Sequence, residues 1–323
     1  MRTLLIAIVA IAWAGIGGTQ AQVYPSRPIT MIVPLPAGSA FDVTARLVAE
    51  RMRVLLGQHV IVENLTGSSG SIGTGRCARA VPDGYTLCFG GVGTHVLNGA
   101  VLTLSYDVLK DFEPVSLIAT AQLLIVAKKS MAAKELKELI AWLKANPGKA
   151  VQGTGGPGSL THLTGVSFQE ETGTRFGSVP YRGAAAAIND LLAGHIDIMI
   201  DLAPNSLPHV RAGTIKAYAV MAKTRLAAAP DIPTVDEAGL PGFYMSAWQG
   251  IWVPKGTPMT VTAKLNAAIL DALADPTVRS RLADLGQDSF PREQQTPEAL
   301  GALQKAEIEK WWPIIKAANI KAE

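Results

Sequence analysis

Two glycine-bearing loops hold the residue types best suited to gripping an anion. The first reads Pro34-Leu35-Pro36-Ala37-Gly38-Ser39-Ala40-Phe41-Asp42 and follows the β-branched run Ile29 to Val33. Gly38 permits a tight backbone, and a helix starting beside it leaves its first N–H groups without intrahelical partners. Those donors, with the positive end of the helix dipole, favour a carboxylate. Asp42 reads as a cap for the same donors rather than a catalytic acid. Phe41 fits either a cover over the ligand or a core position.

The second loop, Gly153-Thr154-Gly155-Gly156-Pro157-Gly158-Ser159-Leu160-Thr161-His162, matches G-x-G-x-x-G after a strand. That pattern alone is weak grounds for a dinucleotide site. The acidic residue expected about 20 positions on is missing, because the next strand reads Ser178-Val179-Pro180-Tyr181. Its glycines still expose N–H groups at a helix start beside the Ser159 hydroxyl, which favours a carboxylate over a phosphate. A β-branched side chain at Gly158 is expected to crowd the ligand.

Catalytic signatures are missing. Gly67-Ser68-Ser69-Gly70-Ser71 breaks the G-x-S-x-G elbow at its fifth position. The five histidines, His59, His95, His162, His195 and His209, include no H-E-x-x-H and no i, i+4 pair for zinc. His95 and His162 stand out because each lies in a polar loop or helix start. Neither a cofactor nor a metal is expected.

Strand-like and helical runs alternate along the chain, the mark of an α/β architecture with mainly parallel sheets. Asp42 to Leu56 carries apolar residues at helical spacing and is closed by Gly57. Helical patterns recur over Lys134 to Ala145, Ser159 to Glu171 and Ala184 to Ala193, and Leu123 to Ala127, His195 to Asp201 and Ile215 to Met221 read as strands. The last third holds a strand over Ile251 to Val253 and helices over Val261 to Ala274, Thr277 to Leu285 and from Pro297 onward. Strand–glycine loop–helix thus occurs in both halves. Ligands of open parallel sheets bind at the carboxyl ends of strands, so two such loops facing each other would make a clamp.

The first 21 residues read as a secretory signal. Arg2 supplies the positive start, Thr3 to Gly18 is almost wholly apolar, and Thr19-Gln20-Ala21 offers a cleavage site. The run falls short of the roughly 20 apolar residues that span a bilayer. Its removal lowers the net charge from +3 to +2, too weak and too scattered for nucleic-acid binding. Cys77 and Cys88 are the only cysteines, and in an oxidising compartment an isolated pair is a disulfide candidate.

These loops, in this order, resemble the Bug-type receptors, the periplasmic solute-binding components of tripartite tricarboxylate transporters. The resemblance runs from Tyr24-Pro25-Ser26-Arg27-Pro28-Ile29 to the C-terminal Ala317-Ala318-Asn319-Ile320-Lys321-Ala322-Glu323. Its most specific pieces are Glu63-Asn64, Pro82-Asp83-Gly84-Tyr85-Thr86-Leu87, Lys110-Asp111-Phe112-Glu113-Pro114-Val115, Val179-Pro180-Tyr181-Arg182-Gly183 and Pro233-Thr234-Val235-Asp236-Glu237-Ala238-Gly239. It implies a type II periplasmic-binding fold of two lobes, residues 22–121 with 247–323 and residues 122–246, joined near Ala121 and Ala247. It implies a ligand carboxylate held between the loops by main-chain donors and ordered water. By position Ser39, Ala40, Phe41 and Asp42 supply one jaw and Gly158, Ser159 and His162 the other, with Thr94, Arg182 and Asp201 near the cleft. The family's first loop usually carries a double glycine after a proline. Here Ala37-Gly38-Ser39 replaces it, adding a hydroxyl and restricting the backbone.

The implied partners are a small carboxylate and the membrane permease subunits of a tripartite transporter, and a monomer is expected. A di- or tricarboxylate, an amino acid and an aromatic carboxylate all fit a main-chain grip. Two other classes remain open: a ligand-sensing module for a sensor kinase, and a secreted hydrolase using a loop serine, which lacks a base at a recognisable spacing.

Overall fold

The computed structural model describes residues 24–317, with the side chain of Ala317 excepted. The expected signal peptide, residues 1–21, lies outside them. The chain opens with β1 (Ile29–Val33), α1 (Ala40–Leu56), β2 (Val60–Asn64), α2 (Ser71–Ala78) and β3 (Thr86–Gly91). Both β2 and β3 pair with β1 in parallel, as crossover helices require. Strand alternation sends Met31 and Val33 into one core and Ile32 into another on the opposite face. Phe41, Ala45, Val48 and Met52 of α1 follow one stripe and fill the first core. Gly57 ends α1 in the left-handed region at φ +67, where its N–H closes on the Arg53 carbonyl at 3.1 Å.

Beyond β3 a π-helical turn (Gly93–Leu97) runs into α3 (Asn98–Val101), and then comes β4 (Phe112–Lys128), 17 residues long. The second half of the molecule is α4 (Leu136–Ala145), β5 (Val151–Thr154), α5 (Leu160–Thr172), β6 (Gly177–Pro180), α6 (Ala184–Ala193), β7 (Ile198–Leu202), α7 (Ala203–Arg211) and β8 (Ile215–Val220). The chain then returns through β9 (Ser246–Pro254), α8 (Met259–Ala274), α9 (Pro276–Asp284), β10 (Gln287–Ser289) and α10 (Pro297–Ala317).

Strand β4 joins two sets of strands. Up to Gln122 it pairs with β9 and β10, completing the order β2-β1-β3-β9-β4. From Leu123 it pairs with β7 and β8, opening the order β4-β7-β5-β6. The returning chain crosses beside it, where the Met245 N–H donates to Met221 and the Leu123 N–H to Met245. Mainly parallel sheets were expected, and the outer pairs β1–β2, β1–β3, β5–β6 and β5–β7 are parallel. Every pair made by β4 or β9 is antiparallel, so the sheet is mixed. The cause is the crossing itself, which runs the shared strands against their neighbours.

The sequence pattern showed only the end of β4. Pro114 argues against a strand there, yet it sits at a register shift opposite Trp252 and Ile251, where a lost donor is tolerated. Helix α7 has no counterpart in the sequence pattern, because Pro208 lies inside it and Pro204 at its first turn makes the segment read as loop. Strand β7 starts at Ile198 rather than His195, whose N–H still closes α6 on the Asp190 carbonyl at 2.9 Å. Cys77 of α2 and Cys88 of β3 form a disulfide with a Cα–Cα distance of 6.0 Å.

Candidate functional site

The two glycine loops build the same local structure twice. Gly38 and Gly158 both occupy the left-handed region, at φ +77 and +73. Ser39 and Ser159 follow as the N-caps of α1 and α5, each accepting the N–H three residues on at 3.3 Å. That third residue then reaches back to the glycine. Asp42 accepts the Gly38 N–H at 2.8 Å, and His162 Nδ1 accepts the Gly158 N–H at 3.2 Å. The first-turn N–H groups of Ala40 and Phe41, and of Leu160 and Thr161, have no intrahelical acceptor.

A third helix start joins them. Gly183 precedes α6 in an extended conformation and makes no side-chain cap, so Ala184 presents its N–H uncapped. Ala40, Phe41, Leu160, Thr161, Gly183 and Ala184 all line one cavity of about 170 Å³ between the two halves. That volume is close to the roughly 150 Å³ that takes a benzene-sized molecule. A second cavity of about 470 Å³ shares Ser39, Arg182, Gly183 and Asn205 with it.

The structure brings most of the expected residues to this cavity and leaves three behind its wall. Ser39, Ala40, Phe41, Thr94, Ser159, Arg182 and Asp201 line it; Asp42, Gly158 and His162 do not. Asp42 is a brace. Its carboxylate takes Arg46 through two nitrogens at 3.0 Å and the Asn64 amide at 2.9 Å. Burial works against its charge, but the hydrogen bonds from Arg46, Gly38 and Asn64 and the Arg46 charge outweigh it and hold the carboxyl below its usual range. His162 is half-buried, and burial pushes it down from the ordinary histidine value. Accepting the Gly158 N–H places its ring proton on Nε2.

Gly158 faces the other half of the molecule and does not line the cavity. A Cβ there would lie 2.5 Å from Val101 Cγ2. Two more contacts close the same seam: Ser69 Oγ donates to the Pro157 carbonyl at 3.2 Å, and a Cβ on Gly183 would stand 3.1 Å from Pro36. Phe41 lines the cavity and also packs edge-on against Phe89 with centroids 6.0 Å apart.

Thr94 is buried in the π-helical turn, where its hydroxyl takes the Gly91 N–H at 3.1 Å and meets His95 Nδ1 at 2.9 Å. Arg182 is exposed at the outer rim and forms no ion pair among the described residues. Asp201, only 2% exposed, accepts from Asn205 Nδ2 at 3.0 Å and Ser206 Oγ at 2.8 Å, and burial pushes its carboxyl up.

The family profile described as the tripartite tricarboxylate transporter family receptor matches residues 44–320. The chain belongs to this receptor family. Its members are solute receptors. The receptor is 35% identical to the protein BugT of Bordetella pertussis over 323 residues, covering 99% of this chain and 98% of that one. The structure of the periplasmic binding protein BugD superposes with a TM-score of 0.87 at 37% identity, covering 93% of this receptor and 100% of BugD. MatC of Rhodopseudomonas palustris, solved with bound malate, superposes with a TM-score of 0.86 at 36% identity over 90% of this receptor and 100% of MatC. The fold is therefore that of the periplasmic binding proteins, as the resemblance implied.

Several cavity residues of the receptor were not singled out from the sequence. Ser69, Asn98, Thr154, Thr161 and Asn205 add polar groups, and Met199 and Leu202 add apolar wall. Asn205 carried no signal because α7 itself was hidden by its prolines. Thr161 and Ser69 sat in loops already marked by glycine and serine, so composition pointed near them without choosing them.

Proposed function

We propose that this receptor captures a small carboxylate in the cleft and presents it to the permease subunits of a tripartite tricarboxylate transporter from the periplasm. The observation that carries the reading is the convergence of the α1, α5 and α6 N-termini on one cavity. Their unpaired N–H groups and dipoles form a positive, donor-only surface without needing a buried cation. Ser39, Ala40 and Phe41 act as one jaw and Ser159 with its following N–H groups as the other. Thr94, Arg182 and Asp201 complete the lining. MatC with its malate is a relative of the same family, and it supports a carboxylate of that size.

The two strand sets act as lobes that open and close about the crossings at Gln122–Leu123 and Met245–Ser246. Ser69–Pro157 and Val101–Gly158 are the closing contacts. Secretion with cleavage after Ala21 accounts for the apolar start of the chain, and no helix among the described residues is long and apolar enough to cross a membrane. The hydrolase reading has no support at the site, since Ser39 and Ser159 hold their hydroxyls against helix N–H groups.

A thermal-shift screen over mono-, di- and tricarboxylates, amino acids and aromatic acids tests the proposal. A true ligand at 100 times its Kd adds about 2.7 kcal/mol and raises the melting temperature in proportion. A flat response across all classes would remove the proposal.

A further inference from the structure

The cavity holds two buried acceptors that a ligand's carboxylate cannot satisfy. Asp201 is one. Its hydrogen-bond partners are neutral, the Asn205 amide, the Ser206 hydroxyl and the Leu202 backbone, and the one charge that favours its ionised form is that of His209, with which it makes no ion pair. No Lys or Arg pairs with it among the described residues. A carboxylate offers about four acceptor sites, so capacity remains. A carboxyl kept this dry without an ion pair is a poor neighbour for a second anion.

Asn98 is the other. It lines the same cavity, is 1% exposed, and donates Nδ2 to the Ser69 carbonyl at 3.0 Å. That bond fixes the amide, because the opposite flip would set oxygen against oxygen. Oδ1 is then left buried with no partner. A buried, unpaired acceptor is costly and rare in a native protein, so it marks a place where a donor arrives.

From these two groups we infer that the ligand carries a hydrogen-bond donor, an ammonium or a hydroxyl, in addition to its carboxylate, received by Asp201 and Asn98. The inference rests on the carboxylate reading above and narrows it. Helix N-termini offer only donors and take the carboxylate; Asp201 and Asn98 offer acceptors and take the substituent. A plain dicarboxylate would satisfy the first set and set acceptor against acceptor at the second. Sites built to hydrogen-bond a substrate OH or NH reject analogues lacking it strongly, because their own polar groups stay unpaired.

Matched series on the unmodified protein test this by calorimetry: succinate, malate and aspartate; glutarate, 2-hydroxyglutarate and glutamate; adipate, 2-hydroxyadipate and 2-aminoadipate. Within a skeleton that binds, a substituted acid should be at least tenfold tighter than the plain one. A plain acid equal to or tighter than both its substituted partners overturns the inference and leaves the proposed function standing. No binding by any of the nine overturns the inference and leaves the proposed function to the wider screen. Asp201→Asn should then narrow the margin between substituted and plain acids to less than threefold. It should cost the amino acid most if the donor is an ammonium, and the hydroxy acid at least as much if it is a hydroxyl. A folded Asp201→Asn protein with an unchanged margin refutes the part assigned to Asp201.

Discussion

Replacing Gly158 by alanine separates the cost of backbone strain from the cost of blocked closure. Gly158 holds φ +73, where an L side chain is strained by about 1–2 kcal/mol. That strain is present whether the lobes are apart or together, so it lowers the stability of the free protein and leaves affinity alone. The second effect needs closure. The new Cβ would stand 2.5 Å from Val101 Cγ2 and 3.0 Å from Val101 Cβ, well inside contact distance. Val101 is β-branched and buried at 5% exposure, so its side chain cannot swing away freely. Overpacking of this kind costs about 1–3 kcal/mol, which as lost closure weakens binding about 5- to 150-fold. Urea unfolding without ligand reads the first effect, and calorimetric titration reads the second. Adding Val101→Ala should restore most of the affinity but none of the stability. Should Gly158→Ala bind like wild type, the Gly158–Val101 seam plays no part in the ligand-bound form and the closure argument fails.

Reducing the Cys77–Cys88 disulfide, or replacing both cysteines by serine, should cost about 3 kcal/mol of stability for a loop of this length, read by urea unfolding with and without reductant. His95 is fully buried and stacked on Trp252 at 3.8 Å, and burial pushes it down to about 3. Its folded value lies below the unfolded one near 6.5, so its contribution is complete above about pH 6.5 and drains away as pH falls toward 3, on the order of 5 kcal/mol in all. Unfolding curves at pH 7, 5 and 4 should show that loss in wild type and a shallower one in His95→Phe. Ser159→Ala removes the α5 cap and should lower stability by about 1 kcal/mol while weakening the ligand only severalfold, because the neighbouring N–H groups remain.

Both glycine–serine helix starts were legible in the sequence because their chemistry is local. A glycine that must take positive φ, a serine cap, and a third residue reaching back all lie within five positions, at Gly38 to Asp42 and at Gly158 to His162. What local pattern could not reveal was direction. Gly158 and His162 support the jaw from behind, and only the packing of α5 against the other half turns Gly158 toward Val101. The helix over Ala184 to Ala193 was legible, but with no cap after Arg182-Gly183 nothing marked its start as a third end facing the cavity. Long-range pairing escaped for a related reason. Pro114 and the polar Ser116 and Thr120 make the first half of β4 read as loop, and only its pairing with β9 makes it a strand. Asp201 was reached only through the family resemblance, and its partners Asn205 and Ser206 sat in a helix that the sequence pattern did not show.

The central claim is that backbone donors at converging helix starts hold a ligand carboxylate, and one comparison tests it most directly. The tightest acid from the screen should be titrated by calorimetry beside its own amide, which matches it in shape but lacks the charge. The acid should bind one to one and be recovered chemically unchanged. The amide should bind at least a hundredfold more weakly, since the charge-assisted bonds to N–H groups contribute about 1.5–3 kcal/mol each. An amide that binds as tightly as the acid would contradict the account.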